Sequence, residues 1–228
     1  MKNDILFSLA VAALLLASLL GATQTVRAQT TVLSIQPAAK IVYAEIGGLF
    51  NLTIQVNEVT ALWGWKAAIS WNASILQLNR TREGSFLPAA GQTLFASAPA
   101  DSGSLPEVMS ALLDGANATG NGTLATLTFQ VVARGTTNVT IDFSTLLDPA
   151  NPHGAISHTT ANAIVETRIP GDVDGNRIVN MLDLYNIALR FGSTPSMPNW
   201  NSIYDVDSNN IINMLDLYIA AVHFGQTA

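Results

Sequence analysis

The feature that most constrains this chain is a stretch that occurs twice near its C-terminus. Asp172-Val-Asp-Gly-Asn-Arg-Ile-Val-Asn-Met-Leu-Asp183 returns 33 residues later as Asp205-Val-Asp-Ser-Asn-Asn-Ile-Ile-Asn-Met-Leu-Asp216. The match runs on, with Leu184-Tyr185 onto Leu217-Tyr218 and Phe191-Gly192 onto Phe224-Gly225. Repetition this tight means one structural unit built twice. Each copy places oxygen-bearing side chains at positions 1, 3, 5, 9 and 12 of a twelve-residue loop. They are Asp172, Asp174, Asn176, Asn180 and Asp183 in the first loop, and Asp205, Asp207, Asn209, Asn213 and Asp216 in the second. Calcium takes about six to eight oxygens from such a loop, one of them a backbone carbonyl at position 7. Ile178 and Ile211 stand there. Three carboxylates cannot share a loop unless a cation neutralises them. The spacing predicts two Ca2+ sites.

The flanks depart from an ordinary helix-loop-helix hand. Pro170-Gly171 directly precedes the first loop, so no helix can enter it. Before the second loop, Pro195 and Pro198 leave room for a short turn only. Position 6, normally glycine, is Arg177 in one loop and Asn210 in the other. Asn tolerates a left-handed backbone and Arg does so poorly, which predicts a weaker first loop.

A helix should leave each loop, and both helices carry two apolar faces. At about 100° per residue, Leu184, Ile187, Ala188 and Phe191 form one stripe, expected to pack on the other helix. Met181, Leu182, Tyr185 and Leu189 form a second. The other helix repeats this with Leu217, Ala220, Ala221 and Phe224 opposite Met214, Leu215, Tyr218 and Val222. A unit of about 60 residues buries one stripe per helix. The second is left over, and exposed apolar patches mark binding surfaces. Burial of the second stripe in a core is the plainer alternative.

Residues 29–166 read as mainly β. Leu52 to Val56 and Leu124 to Val131 alternate apolar with polar residues, and Val139 to Phe143 does the same. Many short strands with Gly, Asn, Pro and Ser between them predict a jelly-roll β-sandwich. A small α module of two calcium loop-helix repeats comes next, over 167–228. Trp63, Trp65 and Trp71 can face one side of a strand, as core or as a sugar platform. Six Asn-x-Ser/Thr sequons, at Asn51, Asn72, Asn79, Asn117, Asn121 and Asn138, fall in the β region and none lies beyond it. They are expected glycosylation sites on an exposed surface.

The first 28 residues read as a secretory signal. Lys2 opens it, Ile5 to Ala22 is apolar, and Val26-Arg27-Ala28 suits cleavage after Ala28. A retained membrane anchor is the alternative. The expected location is secreted or extracellular, or attached to the cell surface. Without Lys2, Asp4 and Arg27, the chain's 10 Lys+Arg and 16 Asp+Glu become 8 and 15. An acidic chain without a basic patch argues against nucleic-acid binding. With no cysteine, a secreted fold must be held by its core or by metal. The histidines His153, His158 and His223 form no metal spacing, no nucleophile elbow is present, and the remaining acids are scattered. No catalytic residue is assigned, and the chain is not expected to be an enzyme.

The tandem loops, each with one helix after it, resemble the dockerin module of cellulosome-type assemblies. Met at position 10 looks more like the type II variety. That resemblance covers about 170–228 and implies a module that binds a cohesin, a β-sandwich receptor, on another protein. Trp65 to Leu76 is similar to a cohesin stretch in which an aromatic strand runs into a turn. Gly122 to Phe129 is similar to a later cohesin strand. The resemblance implies a cohesin-like sandwich over 29–166. The implied function is a calcium-dependent, non-catalytic adaptor, with head-to-tail self-association open to it. The rival reading is a carbohydrate-binding sandwich with a docking tail, serving polysaccharide degradation or cell-surface attachment.

Overall fold

The computed structural model describes residues 30–148 and 150–228, with the backbone alone for 151–153. The expected signal segment lies outside the described residues. Among the described residues, no helix is long and apolar enough to cross a membrane.

Two sheets face each other. One is formed by β1 (Thr31–Gln36), β3 (Leu49–Leu62), β5 (Leu76–Glu83), β8 (Ala118–Val131) and β11 (His158–Ala161), in the order β11-β1-β3-β8-β5. The other contains β2 (Ala39–Tyr43), β4 (Gly64–Ser70), β6 (Thr93–Ser97), β7 (Ser104–Leu112), β9 (Gly135–Asp148) and β12 (Ala163–Arg168). Its order is β2-β12-β9-β4-β7-β6, and β10 (Asn151–Ala155) pairs with β9. The expected alternation is visible in the burial. Leu52, Ile54 and Val56 on β3 and Leu127, Phe129 and Val131 on β8 all point into the shared core. Successive side chains of a strand take opposite faces, so the residues between them face out.

On β9 the alternation fails at Phe143. Ile69 pairs with Ile141, but Ala68 pairs with Phe143, an irregularity that inserts one residue into β9. Such a bulge turns the next side chains of the strand to the other face. Phe143 is 52 % exposed, with the Lys66 ammonium 5.4 Å from its ring centroid.

Two helices, α1 (Met181–Ala188) and α2 (Met214–Val222), come after the sandwich, with a 3-10 turn at Ser202–Tyr204 before the second loop. The Pro-rich approach gives that turn and nothing longer. Both helices are shorter than the apolar stripes suggested. Phe191 and Phe224 fall beyond them and are each 53 % exposed, and Ala188 and Ala221 are exposed too. Gly192 and Gly225, both at positive φ, end the two units.

No free linker separates the two regions. β12 runs to Arg168, which places Thr167 and Arg168 in the sandwich. Ile169 is already 3 % exposed, inside a second core with Val173, Val179, Ile187, Val206, Ile212 and Ala220. Gly171 lies so close to α2 that a Cβ there would meet Ala220 Cα at 2.5 Å.

A pair of carboxylate loops with two apolar helix faces

The two loops are locked to each other crosswise. Gly225 N donates to Val179 O at 2.7 Å and Val179 N to Gln226 O at 3.0 Å. In the mirror position, Gly192 N donates to Ile212 O at 2.7 Å and Ile212 N to Ser193 O at 3.0 Å. Each loop is thus stitched to the segment after the other loop's helix, which explains the repeated glycine at Gly192 and Gly225. The core anchors are loop residues as much as helix residues. Val173 and Val206 at position 2, with Val179 and Ile212 at position 8, carry it alongside Ile187 and Ala220. Sequence reasoning about the helices alone misses these four, although their apolar identity at matching offsets is visible in the repeat.

Carboxylate oxygens of Asp172, Asp174 and Asp183 lie within 4.8 Å of one another, as do those of Asp205, Asp207 and Asp216. Asp172, Asp183, Asp205 and Asp216 are 0 to 4 % exposed. Asp183 accepts Val173 N at 2.9 Å and Asn180 N at 2.8 Å, and Asp216 accepts Val206 N at 2.7 Å and Asn213 N at 2.8 Å. Asn176 and Asn209 donate to Asp174 and Asp207 at 3.0 and 2.8 Å. Asn180 and Asn213 are the N-caps of α1 and α2, their Oδ1 accepting Leu182 N at 2.8 Å and Leu215 N at 2.7 Å. Their amides also reach the position-7 carbonyls, Asn180 to Ile178 O at 3.4 Å and Asn213 to Ile211 O at 3.2 Å. The geometry therefore gives the two position-9 side chains a capping contact in addition to the expected ligand position.

The electrostatics of these loops are unbalanced. Burial pushes the Asp172 carboxyl up and Asp183 adds to that, against backbone N–H bonds from Arg177 and Gly175 that pull it down. Burial also raises Asp205, opposed by the amides of Asn210 and Asn209 and assisted by Asp207 and Asp216. Buried carboxylates of one sign repel, and a hard divalent cation with an appetite for oxygen relieves the conflict. The donor set fits Ca2+.

Backbone strain is shared between the loops. Arg177 and Asn210 adopt φ of 71° and 68°, as expected at position 6. Position 4 is left-handed as well, with Gly175 in the first loop but Ser208, at φ 59°, in the second. Asn210 tolerates this backbone, so each loop has one strained side-chain residue, Arg177 in the first and Ser208 in the second, and the expectation of a weaker first loop loses its backbone argument.

The second apolar stripe of each helix is open. Met181, Leu182, Tyr185 and Leu189, with Met214, Leu215, Tyr218 and Val222, are each 51 to 67 % exposed. The module meets its own sandwich through other residues. Tyr43 Oη donates to Ile203 O at 2.9 Å, and His223 Nε2 lies 2.6 Å from Glu45 Oε1.

In the sandwich, Trp65 belongs to the core, and Trp63 and Trp71 are half-buried against it. Trp65 is buried and the indole of Trp71 donates to Leu76 O at 2.9 Å while packing edge-on to Phe129. No exposed aromatic platform for a sugar is formed by them. All six sequon asparagines are exposed.

No protein-family model matches the sequence, and no curated protein is similar to it. Solved structures that are similar in fold include three cohesins. A non-cellulosomal cohesin from the archaeon Archaeoglobus fulgidus is 14 % identical, with a TM-score of 0.49, over 61 % of this chain and 91 % of that one. The seventh ScaB type I cohesin from Pseudobacteroides cellulosolvens is 18 % identical, TM-score 0.49, over 61 % and 93 %. A type II cohesin domain from the cellulosome of Acetivibrio cellulolyticus is 16 % identical, TM-score 0.49, over 60 % and 95 %.

Proposed function

We propose that this chain is a secreted, non-catalytic adaptor that assembles with other proteins through its calcium-organised C-terminal module. The observation that carries this reading is the pair of twin apolar faces on α1 and α2. Eight large apolar side chains, each more than half exposed, sit on helices whose opposite sides are already anchored. Patches of this kind mark interaction sites. When bound, Ca2+ would be held by Asp172, Asp174, Asn176, Asp183 and the Ile178 carbonyl in one loop, and by Asp205, Asp207, Asn209, Asp216 and the Ile211 carbonyl in the other, with Asn180 and Asn213 beside them. It would supply the counter-charge that lets buried carboxylates fix the start of each helix. The resemblance of the repeat to dockerins supports a cohesin-type β-sandwich as the partner. The cohesin-like sandwich of this chain leaves a second copy among the candidates. The carbohydrate reading draws little support from the tryptophans, since Trp65 is buried and Trp63 and Trp71 are half-buried against the core.

The test is surface plasmon resonance of the full chain over a panel of immobilised cohesin domains, in calcium and in chelator. The twin faces predict that Met181→Asp alone keeps most of the binding. Met181→Asp with Met214→Asp should weaken it by at least about thirtyfold, since an anchor at an interface centre contributes about 2 kcal/mol or more. A double variant that binds as the wild type does would refute these faces as the docking surface. Sedimentation of the same proteins without a cohesin reads self-association separately.

A further inference from the structure

Both loops are gripped at their entrances by one pair of neighbouring residues on the sandwich. β12 and β2 run parallel, and Arg168 stands in register with Tyr43. Tyr43 Oη donates to Ile203 O, in the 3-10 turn two residues before Asp205. The Arg168 guanidinium donates through Nη1 to Asp172 O at 3.4 Å and Val173 O at 3.3 Å, the first two residues of the other loop. That loop closes tightly on it, for a Cβ on Gly175 would lie 2.8 Å from Arg168 Nη2. Arg134 ties the pair from behind, donating to the carbonyls of Ala44 and, at 2.8 Å, of Arg168.

We propose that Tyr43 and Arg168 are positioning residues that pre-organise the two calcium loops, so that the module's metal affinity depends on the sandwich. This rests on the reading of the loops as calcium sites. The physical reason is that Asp172 and Asp205 hang from the backbone these bonds hold. Outer contacts that orient a metal's ligands commonly change metal affinity by about 10- to 100-fold, and contacts that order the loop before the ion arrives act in the same direction. A cationic guanidinium beside a calcium loop would ordinarily oppose the metal. Here Glu166 takes that charge in a two-pronged pair, at 2.8 Å to Nε and 2.9 Å to Nη2. Arg168 is left to act through directed hydrogen bonds.

The two grips are separable, which a general loss of stability would not be. Calcium titration of the full chain, monitored by the amide resonances of Gly175 in the first loop and Ser208 in the second, reads each site by itself. Tyr43→Phe should raise the calcium Kd of the second loop about tenfold and that of the first loop, reached only through the neighbouring Arg168, by much less. Arg168→Met should do the reverse. Tyr43→Phe removes one hydroxyl and no packing, so it decides the matter even if Arg168→Met fails to fold. Glu166→Gln, which unmasks the guanidinium charge, should weaken the first loop alone. A wild-type chain that binds no calcium would overturn the calcium reading and the grip with it. A wild-type chain that binds calcium, with Tyr43→Phe unchanged at the second loop, would overturn the grip alone.

Discussion

The sandwich and the C-terminal module differ in what they bury. Among the described residues, the sandwich core contains 28 buried apolar residues. The module's contains seven, set against four buried carboxylates. At roughly 1.5 to 3 kcal/mol per large apolar side chain buried, the first region needs nothing further. The second sets fewer apolar side chains against two pairs of buried like charges, each several kcal/mol to desolvate, which is why the proposed metal should matter there and not in the sandwich. The two regions differ in this way although only Ile169 and Pro170 separate the end of β12 from the first glycine of the loop approach.

The largest effect that sharpens this contrast is a core truncation. Phe129 is fully buried, 5.9 Å from Phe50 between ring centroids and edge-on to Trp71 at 5.1 Å. Phe129→Ala should cost the sandwich about 3 to 5 kcal/mol, seen as a lower urea midpoint by tryptophan fluorescence. The calcium-dependent step of the module should move far less. Equal losses in both regions would mean that they share one core.

A smaller effect compares the loops with each other. Arg177 and Ser208 hold left-handed backbone that costs about 1 to 2 kcal/mol for a residue with a side chain. Glycine removes that strain but loses more entropy on folding. Arg177→Gly and Ser208→Gly should each raise the thermal midpoint of the calcium-loaded module, by a similar amount worth about 0.5 to 1 kcal/mol. A gain at Arg177 only would restore the idea that the first loop is the weaker.

The features legible in the sequence are those that short spacing encodes. The loop carboxylates, the twin helix faces and the β3, β8 and β9 strands all derive from residues within about a dozen positions of each other. Two expectations that the structure corrects are also local. The stripe through Phe191 assumes a helix that Gly192 cuts short, and Phe143 is carried outward by a bulge whose cause lies in the pairing with β4. No spacing could reveal the weld between the regions. Tyr43 and Ile203 are 160 residues apart, and neither belongs to a motif. Arg168 falls by sequence in the module that begins at residue 167, and only its pairing with β2 shows it to be the last residue of a strand.

The central claim is that metal is a structural member of the module and not of the sandwich. Scanning calorimetry of the full chain, in calcium and in chelator, tests it directly. A ligand at 100 times its Kd stabilises the state that binds it by about 2.7 kcal/mol per site. The module's transition should therefore drop steeply in chelator, with loss of helical circular dichroism, while the sandwich transition shifts little. Superimposable thermograms and an unchanged helical signal in the two conditions would contradict the account.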